Sequence, residues 1–425
     1  MNNLPEKPEI LAPAGNFEKL KAAFLFGADA VYFSGKNFGM RASAENFTLD
    51  EIKQACLYAH ARQKKLYLTI NTVPHAGEIE ELKDYLSEIK ELGEGPDAAI
   101  CADIGVVSLV KKTLPGLDIH ISTQANVQNH PACLAWAELG AKRVILSREL
   151  GCGDIRKIKD NVGDKIELEC FVHGSMCVAY SGRCLLSNYL ASRDANKGAC
   201  AQACRWKYHV AEQLRPGQYL PIAEDDRGTY LFSSKDLCMI EHMDDLARCG
   251  VDAFKIEGRM KSAYYAACVT NAYRAALDSF YATGQTDNEL QKKLKEEINS
   301  VAGREFCTGF FYGPPSADAA ICNGTQNPRQ KSWLGVCVGY DQKNAEAVFE
   351  QKNRVELNQK AQILSPSRFG DDILVGNLSD ENGSPIEAAA RPSMRFKIKI
   401  DEDIKRANDI WQRREISPGD MLRSL

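Results

Sequence analysis

The sequence predicts an α/β protein: a TIM (β/α)8 barrel, interrupted by a cysteine-rich insert and followed by a small C-terminal β-barrel domain. Short β-branched runs alternate with amphipathic helical stretches through the first two thirds of the chain. Between Phe171 and Ala253 that rhythm breaks, and clustered cysteines fill the gap. Beyond Asn299 the texture changes to short strands divided by Gly, Pro and Asn.

Taken in order, the barrel strands are expected at Glu9–Ala12, Ala30–Phe33, Leu66–Asn71, Ala98–Cys101, Ile119–Ser122, Arg143–Leu146, Ile166–Phe171 and Ala253–Ile256. Helices fall between them, for example at Phe17–Phe26, Leu49–Arg62, Ile79–Leu92, Cys133–Leu139 and Asp154–Asn161. Eight β units joined by helices within about 260 residues suit a closed parallel barrel. The alternative is a doubly wound open sheet, but no Gly-rich fingerprint follows the first strand. The long interruption carries one further strand candidate, Tyr230–Ser233. It leaves the C-terminal end of the seventh strand, the end where barrels carry their active sites. A long helix follows Ser262 to about Tyr281, then a charged one spans Asp287–Asn299. Strands are then expected at Phe306–Tyr312, Leu334–Tyr340, Ala347–Gln351, Gln362–Ser365 and Met394–Ile400. The domains are therefore 1–300, a barrel with its insert at about 174–250, and 305–425, a β-barrel.

Composition narrows the function classes. A net charge of −4 over 425 residues gives no global attraction to nucleic acid, so any RNA contact must be local. Met1 to Ile10 holds no apolar signal core and no eighteen-residue apolar run occurs, so a cytoplasmic protein with no membrane partner is expected. Fifteen cysteines are many, and six lie between Cys170 and Cys238. In a reducing compartment such clustering points to metal ligation rather than disulfides. The scattered ones, such as Cys56, Cys101, Cys152, Cys249 and Cys337, read as small buried hydrophobes.

Cys177 and Cys184 are seven apart and Cys200 and Cys204 four apart, on a Gly-containing stretch able to wrap an inorganic core. Four thiolates suit zinc or an iron–sulfur cluster. The lack of any Cys-x-x-Cys knuckle favours iron–sulfur, and plain packing cysteines are the bland alternative. Cys170, on the strand itself, reads as a wall residue. Arg183, Arg193, Lys197, Arg205 and Lys207 face only Asp194 between positions 181 and 210, which is either a phosphate- or carboxylate-binding patch or a solvated surface.

Polar groups recur just after strands: Asn71, His75, Ser122, Thr123, Gln124, Asn126, Arg148, Glu149 and His173. The eighth strand ends in Lys255, Glu257 and Arg259, and Arg41 follows the second. Their convergence on one mouth would suit an anionic, hydrogen-bonding ligand. We assign Arg41, Gln124, Asn126, His173, Arg183, Lys255, Glu257 and Arg259 to that ligand site. No His-Glu-x-x-His or Gly-x-Ser-x-Gly motif supports a hydrolase, and His173-Gly174-Ser175 lies too close in sequence for a Ser/His pair.

The stretch Glu169 to Ser187 resembles the signature of the collagenase-like peptidases, the unassigned peptidase family thirty-two. Leu11-Ala12-Pro13-Ala14-Gly15, Gly27 to Tyr32, Ser122-Thr123-Gln124-Ala125-Asn126 and Lys255 to Arg259 resemble its other landmarks, and the likeness spans nearly the whole chain. Texture and order are most similar to its branch of tRNA hydroxylation proteins. The resemblance implies a 4Fe–4S cluster and oxygen-independent hydroxylation of the tRNA wobble uridine, with prephenate as hydroxyl donor. It implies Cys177, Cys184 and Cys200 as ligands, and either Cys204 or Cys238 as the fourth. Cys204 is preferred on its Cys-x-x-x-Cys spacing. No catalytic acid or base carries over. A collagenase-like peptidase and a non-catalytic iron–sulfur partner protein remain alternatives, and a paralogous sister subunit is a possible partner beside tRNA and a small dicarboxylate.

Overall fold

Eight parallel strands close into a ring. They are β1 (Glu9–Pro13), β2 (Ala30–Ser34), β3 (Lys65–Ile70), β4 (Ala98–Cys101), β5 (Asp118–Ile121), β6 (Arg143–Ile145), β7 (Glu167–Ser175) and, after the insert, β11 (Ala253–Ile256). Each pairs with the next, and β11 pairs with both β7 and β1. The computed structural model describes residues 4–40, 45–177, 179–180, 182, 184–206, 223–225, 228–230, 235–313, 331–399 and 416–425. No helix among them is long and apolar enough to cross a membrane.

Strand alternation divides the core in two. Ile10, Val31, Leu66, Ile119 and Leu168 face the helices, while Leu11, Tyr32, Tyr67, Ile100 and Ile145 fill the barrel interior. The outer helices are α1 (Phe17–Leu25), α2 (Leu49–His60), α3 (Ile79–Glu91), α4 (Ile104–Thr113), α5 (His130–Glu138) and α6 (Cys152–Val162). Their starts are written locally. Asn16, Asp103 and Asn129 cap α1, α4 and α5, and Thr48 with Glu51 forms a capping box on α2.

The barrel interior is also ionic. Arg143 on β6 reaches Glu9 on β1 at 2.7 Å, Glu167 at 2.7 Å and Glu169 at 3.2 Å. Glu169 takes a second ion pair from Lys255 on β11 at 2.8 Å. Tyr67 completes the set by donating to Glu9 at 2.8 Å. Burying so many charges is tolerable only because each has a partner.

Beyond the ring, β7 runs on. Its last residues pair antiparallel with β10 (Asp236–Cys238), which pairs with β12 (Phe306–Cys307). The insert between β7 and β10 holds α7 (Leu186–Ala191) and a hairpin of β8 (Ala223–Asp225) and β9 (Gly228–Tyr230). Residues 231–233 of the expected strand Tyr230–Ser233 lie outside the described residues. After β10 come α8 (Met243–Arg248), β11, α9 (Ala263–Thr283) and α10 (Asn288–Val301). The expected strand Phe306–Tyr312 needs correction: only Phe306–Cys307 is strand, and it extends the barrel sheet through β10.

The C-terminal strands are β13 (Trp333–Asp341), β14 (Glu346–Gln351), β15 (Val355–Glu356), β16 (Lys360–Ser365), β17 (Arg368–Leu374), β18 (Leu378–Asp380), β19 (Ala388–Ala389), β20 (Arg395–Lys399) and β21 (Met421–Ser424). Seven form an antiparallel sheet in the order β17-β16-β21-β13-β14-β20-β18 around Phe349, Phe396, Ile398 and Leu422. A fully buried Arg423 joins this sheet to the barrel helices through Glu297 on α10, at 2.7 Å.

Candidate functional site

The C-terminal mouth of the barrel holds a cavity of about 70 Å³. Tyr32, Thr69, Asn71, Ser122, Gln124, Arg148, Phe171, Lys255, Glu257 and Arg259 line it, most of them toward or just beyond the C-terminal ends of their strands. Lys255 and Arg259 are nearly fully buried. Lys255 Nζ lies 4.4 Å above the Tyr32 ring and is already paired with Glu169. Arg259 Nη1 donates to Thr69 Oγ1 at 3.2 Å. The Tyr32 hydroxyl donates to Glu257 Oε2 at 3.1 Å. Three cationic side chains, Arg148, Lys255 and Arg259, line the mouth beside one lining carboxylate, Glu257. Guanidiniums grip carboxylates and phosphates bidentately, so this lining suits an anion.

A second cavity, of about 340 Å³, lies over the first and shares Met40, Gln124 and Glu257 with it. Cys177, Cys184, Cys200 and Cys204 all line it. Arg148 joins the two: Nη1 donates to the Ser175 carbonyl at 2.6 Å and Nη2 approaches Cys177 Sγ at 3.6 Å. The Gln202 amide donates to Cys200 Sγ at 3.4 Å. Such donors offset charge on ligating thiolates. Among the described residues no three His, Cys, Asp or Glu side chains close to the distances of a single-ion site. Four soft sulfur donors around one roomy cavity fit a multi-iron core, and these are the residues that could hold it.

Cys238 stands apart. It sits on β10, buried, with the Tyr273 hydroxyl 4.0 Å from its sulfur, and burial raises its thiol. Cys56, Cys101, Cys268 and Cys337 are of the packing kind: burial pushes their thiols up to about 12.

Two glycines let the insert settle on the barrel. Gly182, at φ +75°, approaches so closely that a Cβ would lie 2.2 Å from the Gln124 carbonyl oxygen. Gly174, at φ +105°, would place a Cβ 2.5 Å from the Glu257 carbonyl.

The residues assigned from sequence are brought together unequally. Gln124, Lys255, Glu257 and Arg259 line the mouth. Arg41 and Arg183 lie outside the described residues. Asn126 lines neither cavity; it is left-handed at φ 55°, and its Oδ1 accepts from Gln128 and Ser147. His173 also turns away. The pairing register shifts between Lys255 and Ile256, opposite β7, and His173 packs against Tyr265, Tyr273 and Phe306. Burial drives its imidazole down to about 3, so it is neutral. Arg148 and Tyr32 gain roles that no sequence motif assigns. Arg148 is expected from sequence among the polar groups following the strands, though not in the assigned ligand site, whereas Tyr32 looks like any core aromatic.

Models of Peptidase family U32 and of its C-terminal domain match residues 15–320 and 329–423. The chain belongs to peptidase family U32. A U32 relative from Bacillus subtilis, a tRNA hydroxylation protein, is 36% identical over 406 residues, covering 95% of this chain and 94% of that one. A collagenase from Porphyromonas gingivalis is 32% identical over 370 residues, 84% of this chain and 87% of that one. An Escherichia coli 23S rRNA 5-hydroxycytidine synthase is 34% identical over 277 residues, 64% of this chain and 39% of the synthase. In this U32 chain the surface beside the thiols exposes Tyr180, Tyr189 and Trp206, the second of them 81% accessible. Aromatic groups displayed this way can stack on unpaired bases.

Proposed function

We propose that this chain is an iron–sulfur-dependent, oxygen-independent tRNA hydroxylase that forms 5-hydroxyuridine at the wobble position, with prephenate as hydroxyl donor. The observation that carries the reading is the adjacency of the two cavities, one lined by four thiols and the other by Arg148, Lys255 and Arg259. Relatives named for tRNA hydroxylation and 5-hydroxycytidine synthesis support the RNA substrate.

Cys177, Cys184, Cys200 and Cys204 would hold a 4Fe–4S cluster. Cys204 is preferred over Cys238 because it lines the cavity of the other three. When bound, such a cluster supplies redox or Lewis-acid chemistry at the mouth. The chain's own residues bind and orient. Arg148 and Arg259 grip the carboxylates of a small dicarboxylate. Glu257, which lines both cavities and accepts from Tyr32, is the carboxylate placed to hold a proton between them. An unpaired anticodon base leaves its stack at low cost, and Tyr180, Tyr189 and Trp206 offer it rings to rest on. The reading places the protein in the cytoplasm with its tRNA.

The peptidase alternative has less support. It needs a base beside a nucleophile, and no histidine is among the described residues lining either cavity.

Nucleoside mass spectrometry of tRNA from a deletion strain tests the proposal. Wobble 5-hydroxyuridine should vanish, return with the wild-type gene and stay absent with Cys184→Ser. Undiminished 5-hydroxyuridine in the deletion strain would overturn it. Anaerobically purified protein should carry about four irons per chain, lost in Cys184→Ser but not in Cys337→Ser. Stoichiometric zinc without iron would remove the cluster from the proposal.

A further inference from the structure

Away from the mouth, two thiols meet on the helical side of the barrel. Cys152 opens α6 and Cys249 follows the end of α8, 97 residues later, yet their sulfurs are 2.9 Å apart. The packing around them fixes this approach independently. Lys159, two turns along α6, pairs with both oxygens of Asp252 at 3.0 Å. Asp252 in turn accepts from the Leu168 amide at 2.7 Å. The Cys152 amide donates to the Phe311 carbonyl at 2.9 Å. Thus α6 is tied along the connection from α8 to β11, and the two sulfurs face each other across that seam.

Their surroundings differ in a useful way. Cys152 is partly exposed, whereas Cys249 is 2% accessible. Burial lifts the Cys249 thiol to about 12, and the nearby Arg156 guanidinium pulls the other way, favouring its thiolate. An oxidant from solvent meets Cys152 first, and Cys249 is the sulfur within reach.

We propose that Cys152 and Cys249 are a peroxide-responsive thiol pair that closes to a disulfide. Hydrogen peroxide converts the Cys152 thiol to a sulfenic acid and leaves as one water. Cys249 sulfur then attacks the Cys152 sulfur, its proton leaves with the hydroxyl as a second water, and the S–S bond forms. Two thiols lose two electrons in total and one peroxide becomes two waters. The sulfurs must close from 2.9 Å to the bond length of about 2 Å, a sub-ångström movement of each side chain. The bond would join the start of α6, just after Arg148, to the lead-in of β11, which carries Lys255.

The test uses full-length holoprotein, prepared anaerobically and exposed to a few equivalents of hydrogen peroxide. Free thiols are alkylated, and the chain is digested and mapped without reductant. The expected product is one cross-linked peptide pair, Cys152 to Cys249, lighter by two hydrogens, released by dithiothreitol and absent in Cys152→Ser. The cluster cysteines fall in other peptides, so loss of iron does not obscure the result. Alkylation of both Cys152 and Cys249 after peroxide would overturn the proposal. So would oxidation of Cys152 to the sulfinate with Cys249 still free, or a bond from Cys249 to Cys170 instead.

Discussion

Among single residues, the two arginines of the mouth carry the sharpest consequence. Arg259 is buried at the end of β11 and Arg148 bridges the anion cavity to the thiols. Charge-assisted hydrogen bonds contribute about 1.5–3 kcal/mol each. Arg259→Ala should therefore lower kcat/KM for the donor by tens to roughly a hundredfold, with iron content unchanged. Arg148→Ala should lower both, because it also touches Cys177. Equal activity of Arg259→Ala and wild type in nucleoside analysis would remove the arginine from the site. His173 makes a different prediction. Its folded pKa, about 3, lies below the ordinary 6.5, so the unfolded chain binds the extra proton. The stability it protects is whole above pH 6.5 and is lost as pH falls toward 3. At about 1.4 kcal/mol per unit the loss is several kcal/mol. Urea titrations of His173→Asn across that window should show a shallower pH dependence than wild type; a parallel curve would mean the imidazole is not the titrating group. Arg259 and Lys255 could be placed from sequence because a strand end fixes them. His173 could not, since a one-residue register shift reverses the side a strand residue faces.

Among elements, the insert is the part whose position matters most. It hangs from the tail of β7 and touches the barrel through Gly182 and Gly174. In Gly182→Ala the Cβ would press on the Gln124 carbonyl at 2.2 Å, and the backbone is left-handed there. The variant should keep the circular dichroism of the wild type but lose most of its bound iron and its 5-hydroxyuridine activity. Full iron content would show that the insert does not depend on this contact. The barrel strands were legible because most are short, largely apolar runs, as in Ala98–Cys101. The strand β17, Arg368–Leu374, was not: its sequence RFGDDIL has two adjacent acids and no alternation, and it exists only by pairing with β16. Phe306–Cys307 misled for the opposite reason. Its aromatic, turn-flanked texture matches the C-terminal strands, but β10 captures it.

On the scale of the whole molecule, a buried ion pair, Arg423 with Glu297, joins the barrel to the C-terminal sheet beside the hydrogen bonds of buried Asn271 to Ser365 and Ser367. Removing one partner strands the other charge, at a cost of about 3–5 kcal/mol. Arg423→Ala should lower the urea midpoint accordingly, and a double change of both residues to apolar ones should recover much of the loss. If the double variant were no more stable than the single one, the pair would not be the source of the coupling. The ionic interior of the barrel has a kinetic meaning as well. Arg143 meets Glu9 across 134 residues of chain, and Lys255 meets Glu169 across 86. The second contact exists only once β11 has come round to β7, because Lys255 lies on β11. A ring lacking β11, or closed out of register there, would leave the fully buried Glu169 with Arg143 alone and so with part of its charge unmatched. The Lys255–Glu169 pair thus acts as a proofreading step on assembly: it releases its stabilisation only when the last strand arrives in its proper frame.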